Sequence, residues 1–131
     1  MIMLAEFWSR RSTCLRRSVG AVVYDPETYA ILGSGYNDTP RTDVNCGDGG
    51  CPACAAGSVR NRTDCNCIHA ELNAILLSRA DIRRAHLAVY QEKEGEIVTD
   101  PPCLRCRGAR IQAGIAKVLI GDGDHFEYTG P

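Results

Sequence analysis

Nowhere in the 131 residues do apolar side chains run for anything near the ~20 that a membrane-spanning helix requires. No secretory signal is expected either, because Met1-Ile2-Met3-Leu4 is followed too soon by Glu6 and Arg10. Neither sign of charge is in excess: the formal net charge is -1 at pH 7, which leaves no electrostatic case for general binding to nucleic acid or to a membrane surface. The arginines are numerous but interspersed with acids, and there is no basic stripe interleaved with aromatics, the pattern that tracks a single strand of nucleic acid. A cytoplasmic location is the expectation that follows.

What the chain does have is cysteine. There are 8 in so short a sequence, with C-x-x-C spacing twice and C-x-C once. In a secreted protein that density would mean disulfides; without a signal, metal ligation is the favoured reading. With 44% apolar residues, residues 1–131 are expected to form one domain, large enough for a core but not for two.

Leu4, Phe7, Trp8 and Leu15 recur at helical intervals, so the spacing predicts a helix from about Leu4 to Arg17 with an apolar and an arginine-rich face. Val19 to Tyr24 is a run of β-formers stopped by Asp25-Pro26-Glu27-Thr28, and Tyr29 to Gly35 returns from that turn. The connection is short enough to make the pair an antiparallel hairpin. Gly35-Tyr36-Asn37-Asp38-Thr39-Pro40 then reads as a turn-rich loop. The Asn37 amide carries a donor and an acceptor on one plane, which suits a sugar hydroxyl and suits an Asx-turn equally.

Arg41 to Asn66 shows no apolar periodicity, and a loop that long inside a compact domain should be functional or stapled. Cys51-Pro52-Ala53-Cys54 and Cys65-Asn66-Cys67 look like the staples. A four-coordinate structural zinc drawn from Cys14, Cys46, Cys51, Cys54, Cys65 and Cys67 would order it, with the remaining cysteines acting as small buried hydrophobes.

Beyond the loop, Ile68, Leu72, Ile75 and Leu76 predict a helix starting near His69. His86 to Tyr90 and Glu96 to Thr99 are strand candidates around a charged turn. A helix from Cys103 to Ala113 follows, with Asp100 as cap and Gly114 as stop, then a strand from Ala116 to Ile120 and a polar tail. His86 and His125 stand alone and read as surface or hydrogen-bonded histidines.

His69-Ala70-Glu71 and Pro102-Cys103-Leu104-Arg105-Cys106 together make H-x-E…P-C-x-x-C, which resembles the signature of the zinc nucleobase deaminases. Three ligands, His69, Cys103 and Cys106, leave a tetrahedral zinc one position short, the pattern of a catalytic site. Water bound there loses its proton near pH 7, and Glu71, off the metal, could take that proton and pass it on.

Helix, hairpin, loop, His-Ala-Glu helix, strand, Pro-Cys-x-x-Cys helix and strand, in that order, resemble the cytidine deaminase superfamily along nearly the whole chain. Ser12-Thr13-Cys14 before Val19-Gly20-Ala21, Gly35-Tyr36-Asn37 with Pro40, Cys46, Asn73-Ala74 and Gln112-Ala113-Gly114-Ile115 are similar to the deoxycytidylate (dCMP) deaminase branch of bacteria and phages. The resemblance implies a three-layer α-β-α fold on a mixed sheet with an N-terminal antiparallel hairpin. It also implies a hydrolase that deaminates a cytosine nucleotide, most simply dCMP to dUMP and ammonia, by attack of zinc-bound hydroxide at C4. It assigns Glu71 the proton shuttle, Asn37 the deoxyribose and the Ala70 backbone N–H the base carbonyl.

The same resemblance implies a second zinc using Cys14 and Cys46, a homo-oligomer from dimer to hexamer, and dCTP and dTTP as effectors. The chain departs from the pattern in three places. Asp38 stands where the family commonly has glycine beside the allosteric nucleotide loop. Gly121-Asp122-Gly123-Asp124 comes before the first aromatic past the fourth strand, and a fifth strand is not expected before Pro131. Other deaminase substrates, namely dCTP, cytidine, guanine or a base in nucleic acid, and a non-catalytic zinc module are the alternative readings.

Overall fold

The computed structural model describes residues 1–55 and 65–121, together with the backbone of 125–128. The described elements are α1 (Ile2–Ser9), β1 (Ser18–Tyr24), β2 (Ile31–Tyr36), a 3-10 turn (Cys46–Asp48), α2 (Pro52–Ala55), α3 (Ala70–Leu76), β3 (His86–Lys93), β4 (Glu96–Ile97), α4 (Leu104–Gln112), β5 (Lys117–Ile120) and β6 (His125–Tyr128). Strand order is β2-β1-β3-β5-β6, with β4 paired on β3. β1 is antiparallel to both β2 and β3, β3 is parallel to β5, and β5 is antiparallel to β6. The sheet is mixed and opens with an antiparallel hairpin, as expected.

Alternation along the two central strands explains the layering. Val19, Ala21 and Val23 of β1, with Leu87 and Val89 of β3, face α3 through Ala70 and Ala74. Val22 and Tyr24, with Ala88 and Tyr90, face α1 through Ala5, with Ile2 and Trp8 packed alongside. A sheet buried on both faces needs a helix layer on each, which gives the three-layer α-β-α architecture.

Close approach of both helices depends on glycine. A Cβ on Gly20 would strike the Ala5 carbonyl oxygen of α1, and one on Gly33 would strike Ser78 Oγ and the Ala74 carbonyl oxygen. At Gly35 it would lie 2.6 Å from Asn73 Cβ and 2.8 Å from Ala74 N.

Several sequence expectations are corrected. The first helix ends at Ser9, not near Arg17. Beyond it, Ser12 Oγ donates to the Asn37 carbonyl (2.7 Å) and Thr13 is bound by Asp38, so tertiary partners capture residues that favour non-helical backbone. Its buried face is Ala5 and Ser9, with Leu4 and Phe7 exposed, because only small side chains fit where α1 lies on Gly20; Leu15 lies beyond the helix and is exposed. On α3 the buried residues are Ala70, Glu71 and Ala74, while Leu76 is exposed.

α4 is capped by Cys103 and not by Asp100. Gly114 does follow it with φ +82°, the left-handed conformation that closes helices. The C-terminal strand expected to be missing is present as β6. A polar sequence can pair there because an edge strand meets the ladder on one side only. The His125 side chain lies outside the described residues. No helix among the described residues is long and apolar enough to cross a membrane.

Candidate metal centre and substrate cavity

Three backbone junctions bring the motif residues together. Ile68 and Asp38 form an isolated antiparallel bridge, Ile68 N–H donating to the Asp38 carbonyl at 2.8 Å, so the chain enters α3 along the end of the hairpin. His69 is then the N-cap of α3, with extended φ −66° and ψ 149°. Asn73, one turn on, donates from Nδ2 to the Tyr36 carbonyl (2.8 Å) and ties α3 to the end of β2. Cys103 occupies the equivalent cap of α4, where its Sγ accepts from the Cys106 N–H at 3.5 Å. Two helix starts therefore face each other, each presenting its cap residue.

His69 Nδ1 lies 3.5 Å from Cys103 Sγ and 3.3 Å from Cys106 Sγ. Bond lengths of 2.3 Å to sulfur and about 2.0 Å to nitrogen at a tetrahedral zinc place those donors about 3.5 Å apart, so the three residues fit the ion. His69 and Cys103 are exposed and Cys106 is fully buried, so one side of the site is open. Burial pushes the Cys106 thiol far up, and the neighbouring Glu71 carboxylate and Cys103 add to it. A divalent cation at this spot supplies the charge that reverses that balance.

Glu71 sits in the first turn of α3 and is buried. Burial raises its pKa above the ordinary carboxyl value, opposed by its own backbone N–H, by His69 and by a hydrogen bond with Cys106. Its carboxyl forms part of the wall of a cavity of about 690 Å³, shared with Asn37, His69, Ala70, Cys103, Arg16, Arg17, Gln91, Asp100 and Arg105 among others. That volume lies within the range that encloses small ligands.

Asn37 is buried against β1, its Oδ1 accepting from Val19 N–H and its Nδ2 donating to the Arg17 carbonyl, each at 2.9 Å. Its amide carries one further hydrogen and one further lone pair, and the residue lines the cavity.

Asp38 has a structural task. Its carboxylate accepts from Thr13 Oγ1 (2.8 and 2.9 Å) and from the N–H groups of Thr13 (3.2 Å), Thr39 (2.8 Å) and Cys46 (3.2 Å). Burial alone would raise its pKa; these donors outweigh burial and hold it low.

The remaining six cysteines gather in one place. Cys46 and Cys51 are fully buried, with Cys14, Cys54, Cys65 and Cys67 packed around them. Within this group a hydrogen bond with Cys67 draws the Cys14 thiol down to about 5, while the same contact pushes Cys67 up. Burial pushes Cys54 up to about 12.

Sequence reasoning missed the basic rim. Arg105 could have been found, since it lies between the two cysteine ligands on one helix turn; Arg16 and Arg17 reach the cavity only through tertiary packing.

Fold and site together define an α-β-α metalloprotein with a three-donor centre open to a ligand cavity. The chain belongs to the cytidine and deoxycytidylate deaminase zinc-binding family, whose family model matches residues 1–122. It is 37% identical to the deoxycytidylate deaminase of Saccharomyces cerevisiae over 116 residues, covering 88% of this chain and 34% of that one. It is 35% identical to the deoxycytidylate deaminase of Schizosaccharomyces pombe over 128 residues, covering 96% of this chain and 36% of that one. The chain thus spans about a third of the length of both relatives. Among solved structures it is similar to the dCMP deaminase from the cyanophage S-TIM5 in complex with dCMP and dUMP, with TM-score 0.67 and 32% identity over 89% of this chain and 74% of that one.

Proposed function

We propose that the protein is a zinc-dependent hydrolase that deaminates a cytosine nucleotide, dCMP to dUMP and ammonia. The observation that carries the reading is the open set of His69, Cys103 and Cys106 with buried Glu71 beside it on a nucleotide-sized cavity. The dCMP and dUMP bound in the cyanophage relative support the choice of substrate.

Zinc held by His69 Nδ1, Cys103 Sγ and Cys106 Sγ would lower the pKa of a water toward about 7 and so supply a nucleophile. Glu71, kept off the metal, would take one proton from the attacking water as its oxygen adds to C4 and give it to N3 of the ring. It would then carry the remaining proton of the new C4 hydroxyl to the exocyclic nitrogen, so that C4=O forms as the C4–N bond breaks and ammonia leaves. Burial holds its pKa above the ordinary carboxyl value, the direction that suits a proton carrier.

The Ala70 N–H, at the start of α3, is assigned to the base carbonyl, and Asn37 to the sugar hydroxyl through its remaining hydrogen and lone pair. Arg16, Arg17 and Arg105 outnumber the cavity's carboxylates, Glu71 and Asp100, the latter 3.9 Å from Arg17, and supply the positive charge that a 5′-phosphate needs. Arg17 is steadied by Gln91 Oε1 at 3.0 Å.

The reduced thiols suit a cytoplasmic setting. Exposed Met3, Leu4 and Phe7 on α1, with Leu76 and Leu104, provide apolar area for a homo-oligomer.

The test is ammonia release from dCMP, dCTP, deoxycytidine, cytidine and guanine, with and without added dCTP or dTTP. Glu71→Gln should lose about 10²–10⁴-fold in kcat while keeping zinc. Arg105→Ala should raise KM for dCMP and leave deoxycytidine unchanged. Absence of zinc-dependent turnover on every cytosine substrate would retire the proposal.

A further inference from the structure

Six cysteines are two more than a tetrahedral ion takes, and their arrangement is not four plus two. Their sulfurs fall into three triads, Cys14 with Cys46 and Cys67, Cys46 with Cys51 and Cys54, and Cys51 with Cys65 and Cys67, each within 4.8 Å. Three residues belong to two triads each. It follows that Cys46, Cys51 and Cys67 are mutually within 4.8 Å and form an inner triangle, with Cys14, Cys54 and Cys65 each set on one of its edges. A single zinc would leave two thiols of this interlocked set without a task. Two tetrahedral ions that share two sulfurs take six, the two-zinc, six-cysteine composition used by one class of small metal modules.

We propose that these six cysteines form a binuclear zinc-thiolate centre, in which two of Cys46, Cys51 and Cys67 bridge the ions and the other four are terminal. The ligands come from separate segments: Cys14 after α1, Cys46 in the 3-10 turn, Cys51 and Cys54 at α2, and Cys65 and Cys67 immediately before α3. Six thiolates fill all eight positions of two tetrahedral ions, so none is left for water and the centre is closed and structural, its Cys46 and Cys51 fully buried. Disulfides are not formed: all eight cysteines are free, and the Cys51 and Cys65 sulfurs are 3.8 Å apart against about 2.05 Å for a bond.

The centre has a reason to exist where it is. Cys14, Cys65 and Cys67 line the same cavity as His69 and Glu71, and Cys67 precedes the Ile68–Asp38 bridge that leads into His69. The ions therefore hold one wall of the substrate cavity and fix the entry to α3. The inference does not depend on the reaction proposed above, because its evidence is metal count and thiol state.

The full chain, purified with zinc and without chelator, should carry about three zinc ions by native mass spectrometry and elemental analysis, one at the open site and two here. Cys103→Ala/Cys106→Ala, which removes only the open site, should keep two. After cadmium-113 exchange that variant should show two resonances split by coupling through a shared sulfur. Iodoacetamide should label none of its six cysteines until the metal is removed. One ion in the variant, two in the unaltered chain, or a pair of cluster cysteines that alkylate or form a disulfide in the native protein would overturn the proposal. Because the unaltered chain is counted as well, failure of the variant to fold leaves the test standing.

Discussion

Gly35→Ala should damage the protein through helix position and not through chemistry. Gly35 lies on β2 directly beneath α3, and the added methyl would sit 2.6 Å from Asn73 Cβ, 2.8 Å from Ala74 N and 3.0 Å from the Ala70 carbonyl oxygen. The tightest of these is about 0.8 Å inside the 3.4 Å at which ordinary contact begins. Two of the three obstacles are helix backbone and the third a Cβ, so no flexible side-chain tip can swing away. The helix must lift by a large part of that distance.

Overpacking of this kind costs about 1–3 kcal/mol. For a domain of this size that lowers Tm by about 3–10 °C. α3 carries His69 at its cap and Glu71 in its first turn, while Cys103 and Cys106 stay on α4, so the lift opens the donor triangle. A displacement approaching 1 Å costs on the order of 10²-fold in rate. The assay is kcat/KM for dCMP beside a thermal melt and a zinc count. Gly108→Ala is the control, because nothing lies within 4 Å of its added methyl and alanine in a helix stabilises by about 0.5–1 kcal/mol. If Gly35→Ala melts within about 1 °C of the parent and keeps kcat/KM within about twofold, the glycine does not set the seating of α3 and the reasoning fails.

Asp38→Asn should cost about 2–3 kcal/mol, because the amide cannot accept from Thr13, Thr39 and Cys46 together and turns N–H toward a donor; the urea midpoint should fall with an unchanged m-value. His86 packs edge-on against Tyr24, and burial followed by Lys117 lowers its pKa. The unfolded chain then binds the proton more readily, so stability should fall as pH drops below the ordinary 6.5, and His86→Gln should flatten Tm between about pH 7.5 and 5. Stripping zinc with a chelator should lower Tm and expose the loop cysteines to alkylation, because ligand binding to the folded state alone is folding free energy.

Read from one dimension, the chain already carried the motifs on which the proposed chemistry rests. The spacing within each motif, His69 with Glu71 and Cys103 with Cys106, is a local property, since a helix cap and a residue of the first turn are neighbours in any fold; that the two helix starts meet is tertiary. β1, β2, β3 and β5 were legible for a similar reason: β-formers stopped by turn residues state their own conformation. Tertiary structure alone decided the extent and face of α1, because Leu4 and Phe7 lost their place to Ala5 and Ser9 only once Gly20 lay beneath them. It likewise decided that six cysteines spread over residues 14 to 67 meet in interlocked triads, and that Arg16, Arg17 and Arg105 share one cavity. Local pattern fixes which atoms a segment offers; which of them meet depends on contacts distant in sequence, where a glycine or a shared thiolate contributes nothing until its partner arrives.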